Sequence, residues 1–472
     1  MFADRGVLGP GPTREYGMAM NGEGGEKSRV LELLRRHGWN TTSFQVLEPG
    51  YAYWFDGDDA CVAYVDTGSA WVVAGAPIAS TERLAEVSER FATHAAAKGR
   101  RVCFFAIETR LLHATPLASL LIGEQPVWDP RRWEECLRDS RHLREQLRRA
   151  RAKGVRVRVV DVAEVREPTS PVRVAMERLM ARWLESRRMA PMGFLVQLSP
   201  FDRPEERRCL VAERDGEVMA FLSAIPVYAR EGWFVQHLLR DKRAPNGTVE
   251  LLVDGLMRAA AAEGRSFLTL GLAPLSGEVA GVLRLARRLG KPLYDFEGLR
   301  AFKSRLRPHS WDPVFLAWPR TRGPVLAVFD SLEAFAQGSL LRFGARSLLE
   351  HPLLLIWLTA VLLVPWTVLL ALPITTSHFP SWHVQAAWVL FDVGLTVALF
   401  SLVRRWRRGL ATLLAWVITG DASLTLLEAL LYNLPRAEGW GDWLVMVVAV
   451  MAPSLAAALL FWARGHRTLQ RP

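Results

Sequence analysis

Arg240 ends an apolar stretch, WFVQHLLR, directly ahead of a loop that leads into helix-forming sequence. Strand ends that feed a helix N-terminus are where α/β folds place ligand-binding groups, because backbone N–H donors converge there. Arg240 in that position is a candidate clamp for an anionic group. His237 stands three residues earlier and can act as a base near neutral pH. Odd spacing along a strand turns the two side chains to opposite faces unless a bulge intervenes, and a purely structural histidine is the competing reading. Asn246-Gly247 lies in the loop. Glu250 follows in the first helical turn, where an acid offsets the helix dipole. Lys303 sits among Phe302, Arg305, Arg307 and Trp311, a mixture of cations and rings suited to phosphate contact or to an ordinary surface.

Two further groups of charges carry a chemical reading. Arg131–Arg158 holds eleven Lys/Arg against four acids. Arg141, Arg144, Arg148 and Arg151 recur at helical spacing, with Arg149 beside them. Such a stripe binds phosphates of RNA or lipid headgroups, or is simply a solvated face. Asp392, Asp421 and Glu428 fall inside long apolar runs, and Asp421 and Glu428 share one helix face. Ionisable groups at membrane depth are costly unless paired. They read as a polar site for a cation, a proton path, or an interhelical hydrogen-bond cluster. The four cysteines (Cys61, Cys103, Cys136, Cys209) are far apart, so neither a disulfide framework nor a metal site is expected.

These residues need a scaffold, and the pattern supplies two kinds. The 472 residues are 50% hydrophobic and 23% charged with a net charge of +11, which suits a soluble part fused to a membrane part with anionic partners. The first 30 residues lack an apolar core, so no signal peptide is expected there. Residues 60–107 read strand, strand, helix, strand, and 208–272 repeat that order, with matching helix ends AAAKGRRVCFFAI and AAAEGRSFLTLGL. Two α/β units with helices on a mainly antiparallel sheet follow, an α+β class. Asp215-Gly216 predicts a hairpin turn. Ser80 or Thr81 and Gly99 predict the ends of the first helix. Beyond residue 350, four spans are expected at about 352–373, 384–403, 410–434 and 443–463. Arg404, Arg405, Arg407 and Arg408 fill the loop between spans two and three, Arg342 and Arg346 precede the first, and Arg464, Arg467 and Arg471 follow the last. Basic loops stay inside, so a multi-pass protein of the cytoplasmic membrane is expected, with both termini and the soluble part cytoplasmic. The expected organisation is a flexible lead at 1–28, a first unit with the basic helix at 29–165, a second at 166–320, a linker at 321–350, and a four-helix transmembrane domain at 351–472.

The ordered set REQLRRARAKGVRVRVV, ARWLESRRMAPMGFLV, VMAFLSAIP, LLRDKRAPNGTVELLVDGLM, LTLGLAPLSG and YDFEGLRAFKSRLRPHSWDPVFLAW resembles the cytosolic catalytic domain of the phosphatidylglycerol lysyltransferases, the multiple peptide resistance factor family. The resemblance covers about residues 35–318. It implies two tandem acyltransferase units of the GCN5-related (GNAT) type. It also implies transfer of an aminoacyl group from aminoacyl-tRNA to the hydroxyl of a membrane phospholipid such as phosphatidylglycerol. The implied catalytic residues are Arg240, His237 (where the family tends to an acid) and Lys303. Asn246, Glu250, Arg148, Arg149, Arg305 and Trp311 would contact substrate. The implied partners are lipid and aminoacyl-tRNA as co-substrate, with no DNA. No cofactor is implied, and the single Gly247 does not match the glycine-rich pyrophosphate loop of acetyl-CoA users. Better-known members carry their membrane helices ahead of this domain, whereas here the apolar runs follow it. An acyl-CoA-dependent acyltransferase of the same fold, or a non-enzymatic membrane-anchored sensor or transport protein, are the alternative readings.

Overall fold

The computed structural model describes residues 16–185, 193–277, 296–336, 352–436 and 439–465. The chain divides into two compact units, one up to residue 340 and one from residue 341 on.

The first unit is built on one twelve-stranded sheet. Its strands are β1 (Ala52–Phe55), β2 (Cys61–Asp66), β3 (Ala70–Ala74), β4 (Arg101–Ile107), β5 (Ala118–Trp128), β6 (Arg156–Val160), β7 (Arg208–Arg214), β8 (Glu217–Val227), β9 (Gly232–Arg240), β10 (Phe267–Thr269), β11 (Ala273–Pro274) and β12 (Ser310–Trp318). The order is β1-β2-β3-β4-β12-β5-β10-β9-β8-β7-β6, with β11 added on β5. The helices that matter for the site are α1 (Tyr16–His37), α2 (Leu84–Ala97), α3 (Arg141–Ala152), α4 (Pro171–Glu185), α5 (Thr248–Ala262), α6 (Phe296–Arg305) and α7 (Pro324–Phe335).

The two repeated stretches fold alike. β3 pairs parallel with β4 through the crossover helix α2, and β9 pairs parallel with β10 through α5. Gly99 and Gly264 both adopt left-handed φ, +69° and +72°. In each, the following N–H reaches back to close the helix: Arg100 N donates to Ala95 O, and Arg265 N to Ala260 O. A left-handed residue costs glycine nothing, so the same AAAxG ending gives the same stop. Asp215 and Gly216 also have positive φ and form the two-residue turn between β7 and β8.

The halves are not successive in the chain, and here the sequence boundaries need correction. β12, from residues 310–318, lies between β4 and β5 in the first half's sheet. β6, expected in the first half, pairs with β7 at the far edge of the second. The basic helix α3 also belongs to the second half. Its inner face, Leu143, Leu147 and Ala150, is buried in the core that holds Leu251, Leu252 and Leu256 of α5. Each such leucine contributes roughly 2 kcal/mol by burial, so its apolar stripe, not its charge, decides where α3 docks. The expected flexible lead is helical from Tyr16 on, anchored by buried Val30, Leu33 and Leu34; residues 1–15 lie outside the described residues. The expected linker begins with α7, a helix laid on the sheet through the Arg101–Asp330 ion pair.

In the second unit, α8 (Pro352–Leu370), α9 (Trp382–Arg404), α10 (Arg408–Glu428) and α11 (Trp440–Gly465) share a core that includes Ile356, Leu399, Ile418 and Leu460. Among the described residues, three helices are long and apolar enough to cross a membrane: Trp382–Arg404, Arg408–Arg436 and Met446–Gly465. Leu355–Leu370 is apolar but shorter. Hydroxyls inside these helices, such as Thr367 to Leu363 O and Thr419 to Ala415 O, donate one turn back, which satisfies them within their own helix.

Gly247 caps α5 with φ +91°, and an added Cβ would lie 2.2 Å from the Gln146 carbonyl oxygen of α3. Gly247→Ala combines a disfavoured φ with a backbone clash and should destabilise by at least about 2 kcal/mol. Gly264→Ala meets open space, so it should cost only about 1 kcal/mol. Thermal unfolding of the two variants measures the gap, and equal losses would contradict the packing of α3 on α5.

Candidate functional site

The sheet opens beside β9. β10 follows β9 only from Gly232–Phe267 to Phe234–Thr269, while β9 continues to Arg240 paired on β8 alone. Within the stretch of β9 that β10 leaves unpaired the register jumps: Val235 faces Ala224 and His237 faces Ser223, so Gln236 is an extra residue. A bulge re-aims side chains, and here it turns Gln236 into a buried polar cluster. Gln236 Nε2 donates to Glu48 Oε1 at 2.5 Å, and Ser199 Oγ donates to the same oxygen at 3.0 Å. Arg207 Nη1 donates to Gln236 Oε1 at 2.7 Å and to Ser223 Oγ at 3.4 Å, and its Nε to Asp202 O at 2.6 Å.

Arg207, Glu48 and His237 are 3, 4 and 5% exposed. Burial pushes the Glu48 carboxyl up to about 7, against the pull of Gln236, Ser199 and Arg207. Burial and then the Arg207 charge push His237 down to about 3, so its imidazole is neutral at physiological pH. Glu48 Oε2, the Tyr51 hydroxyl and His237 Nε2 are buried without a hydrogen-bond partner among the described residues. A buried polar atom left unpaired costs about 1–3 kcal/mol, so such a group at an open sheet edge is a candidate for handling a proton or a polar ligand. Glu48, Ser199, Arg207 and Gln236 were not read as site residues from sequence. The one available signal was the adjacent polar pair Gln236-His237, which breaks the alternation of an otherwise apolar strand.

His237 and Arg240 are not brought together. The bulge precedes His237, so normal alternation from 237 to 240 sends them to opposite faces. Arg240 is exposed. Its Nη2 donates to Ala244 O at 2.6 Å and Asn246 Oδ1 at 3.4 Å, fixing the loop ahead of α5. Among the described residues no carboxylate pairs with its guanidinium. Glu250 is half-buried in the first turn of α5.

Lys303 corrects the sequence reading. Rather than reaching a substrate phosphate, Lys303 is buried, 4% exposed, and its Nζ donates to the carbonyls of Leu270, Gly271 and Leu272 at 2.9, 2.7 and 2.9 Å. Burial pulls the ammonium down to about 7, and the three carbonyls oppose that, since only the charged form has three donors to give. Lys303 therefore fixes the chain leaving β10, where the sheet opens. Nearby, Arg305 is exposed above Phe302, and Trp311 carries Arg300 at 4.7 Å, itself paired to Glu124. On α3, Arg148 and Arg149 are exposed and both bind Glu145, holding its carboxyl down to about 2. Arg144 turns back to Leu137 O, and Arg151 pairs with buried Asp254, so the stripe is partly internal structure.

In the second unit the three acids face the seam between α9 and α10. Trp388 Nε1 donates to Glu428 Oε2 at 3.1 Å. One turn along, Asp392 is 7% exposed and within electrostatic reach of Asp421. Thr425 Oγ1 is 3.5 Å from Asp421 Oδ1. Glu428 is thus tied into the helix pair. Among the described residues, no group of three or more potential metal ligands occurs.

Glu48 gives a pH test. Its folded pKa lies above the usual carboxylate value, so its contribution to stability is full in acid and lost as pH rises through about 7. That loss is on the order of 3 kcal/mol. Wild-type thermal stability should fall between about pH 5 and 8 more steeply than that of Glu48→Gln, which cannot ionise. Parallel curves would place Glu48 in a wetter setting.

A family model for the C-terminal part of phosphatidylglycerol lysyltransferase matches residues 31–318. Phosphatidylglycerol lysyltransferase of Bacillus subtilis is 26% identical over 328 residues, 65% of this chain and 37% of that protein. The lysylphosphatidylglycerol biosynthesis bifunctional protein LysX of Nocardia farcinica is 28% identical over 246 residues, 48% of this chain and 21% of that protein. The chain thus spans little more than a third of these relatives at most. Two solved structures share the fold. The C-terminal domain of a putative lysylphosphatidylglycerol synthetase from Agrobacterium fabrum has TM-score 0.57 at 21% identity, covering 67% of this chain and 99% of that one. L-PGS from Bacillus licheniformis has TM-score 0.54 at 22% identity, covering 65% and 96%. With a match that takes in both halves of the sheet, from α1 to the end of β12, the chain belongs to the phosphatidylglycerol lysyltransferase C-terminal domain family.

Proposed function

We propose that this protein is a membrane-bound aminoacyltransferase that moves an aminoacyl group, lysyl by analogy with its relatives' names, from aminoacyl-tRNA to the hydroxyl of a membrane lipid such as phosphatidylglycerol. The observation that carries the reading is the family match over residues 31–318, which spans the opened sheet and its flanking helices. The two parallel crossovers, β3-α2-β4 and β9-α5-β10, are taken as two tandem acyltransferase-like units whose outer strands have been exchanged across the sheet. The apolar helices after residue 350 are taken as four spans, with the basic loops and the first unit on the cytoplasmic side.

The reaction is a transesterification. The lipid hydroxyl oxygen attacks the ester carbonyl, its bond to that carbon forms, the bond from the carbon to the tRNA ribose oxygen breaks, and the lipid's proton ends on the ribose oxygen. Most of the rate comes from holding the two large substrates together and stabilising the oxyanion. Arg240 at the exposed end of β9, with Asn246 beside it, suits a phosphate of either substrate. Arg148, Arg149, Arg305 and Trp311 are assigned tRNA or headgroup contact in this reading, and Glu250 the amine of the transferred group. Of the two buried proton acceptors, Glu48 is better matched than His237, because a base titrating near 7 works best at neutral pH and one near 3 is weak. Lys303 acts here as a positioning residue.

Lipid extracts from cells with and without the gene test the proposal directly. An additional amine-bearing, ninhydrin-positive lipid is expected on expression, and its absence would count against transfer to lipid. Arg240→Ala should reduce that product by at least about tenfold while leaving the protein folded, since a charge-assisted phosphate contact contributes about 1.5–3 kcal/mol. Purified protein should form product with charged tRNA. Product formation from a CoA thioester without tRNA would instead favour an acyl-CoA-dependent enzyme.

A further inference from the structure

Helix α7 is inverted, with polar side chains facing inward and an apolar face outward. The side chains it directs into the first unit include Asp330 and Ser331, both buried, flanked by small Ala327 and Ala334. Asp330 accepts from Arg101 Nε at 3.0 Å, and Ser331 Oγ donates to Ala327 O. The opposite face holds Val325, Leu326, Phe329 and Leu332, exposed by 78, 47, 45 and 50%. Positions 325, 329 and 332 follow the one-turn spacing of a single stripe. Elsewhere in that unit the exposed large apolar side chains among the described residues are the scattered Val159, Leu184 and Val196. A contiguous apolar patch on a helix that buries its charge signals a partner surface.

Chain path and charge identify that partner. α7 ends at Phe335, and the apolar helix α8 begins at Pro352. The 16 intervening residues reach at most roughly 55 Å, so α7 is never far from a bilayer if α8 enters one. Exposed Arg320 and Arg322 stand immediately ahead of the helix. Between Glu333 and Glu350 the sequence carries Arg342 and Arg346 and no acid. On the helix itself Asp330 is neutralised by Arg101, and Glu333 accepts from Ser69 Oγ. An apolar stripe between basic flanks is the pattern of a helix lying in the plane of an anionic membrane surface. We infer that α7 is an interfacial helix whose Val325-Leu326-Phe329-Leu332 face sits at the headgroup–acyl boundary of an anionic bilayer and holds the first unit against it. This goes beyond the transfer reaction and does not depend on it.

The four native cysteines are buried, so an introduced surface cysteine can be labelled selectively. The full chain carrying Val325→Cys, Phe329→Cys or, as an exposed control on α2, Glu89→Cys is labelled with an environment-sensitive fluorophore. Each is reconstituted into vesicles of phosphatidylglycerol and phosphatidylcholine. Brominated acyl chains should quench the two α7 positions several-fold more than the control, and aqueous iodide should quench them less. Iodide quenching equal to the control would overturn the inference by placing the stripe in water. Protection from both quenchers would overturn it too, because protein, either a second copy or another part of this chain, would then cover the stripe.

Discussion

The first unit depends on one largely enclosed cation. Arg230, just ahead of β9, donates from Nη1 to Glu108 at 2.8 Å and lies 3.4 Å from Asp312 through Nη2, with its guanidinium 3.6 Å from the centre of the Phe267 ring. Those partners come from the end of β4, from β12 and from β10. A largely desolvated charge is held by its partners, and losing one leaves the cation poorly compensated. Glu108 is held in turn by the Thr41 N–H. Four distant stretches must therefore meet at this point, which is where the two halves of the sheet are joined.

That seam explains the shape of the candidate site. With β12 and β5 fixed against β10, and Lys303 gripping three successive carbonyls after it, the chain leaving β10 cannot continue alongside β9. The edge of β9 from Val235 to Arg240 is left to side chains. Two of its residues then serve different environments. Gln236 is rotated inward by the bulge and organises Arg207 and Glu48, while Arg240 at the strand's end stays in water and braces the loop ahead of α5. One strand thus carries a buried polar cluster around Gln236 and an exposed cation at Arg240.

Several features were readable because they are local. The Asp215-Gly216 turn and the glycine-closed ends of α2 and α5 each depend on a few neighbouring residues and formed as expected; of the four apolar runs after residue 350, three gave helices long and apolar enough to cross a membrane among the described residues. The doubled strand and helix order was readable for the same reason. Local sequence misplaced the ownership of strands. β6 and β12 each have ordinary strand composition, and nothing in that composition records that they pair with the more distant half. Lys303 was misread because a lysine among arginines and aromatic rings looks solvent-facing, and the carbonyls that bury it lie some thirty residues away.

Sequence alone determined the doubled strand and helix order, where the chain turns, that the stretches after residue 350 are apolar, and that the chain carries excess positive charge. These follow from periodicity, glycine's freedom at positive φ and simple charge counting. The tertiary structure decided what depends on long-range pairing: the crossing of strands between the halves, the one-residue bulge that turns Gln236 inward, and the desolvation that brings Glu48 toward neutrality and leaves His237 uncharged. Dielectric surroundings and register are set by partners far along the chain, so no window of sequence contains them.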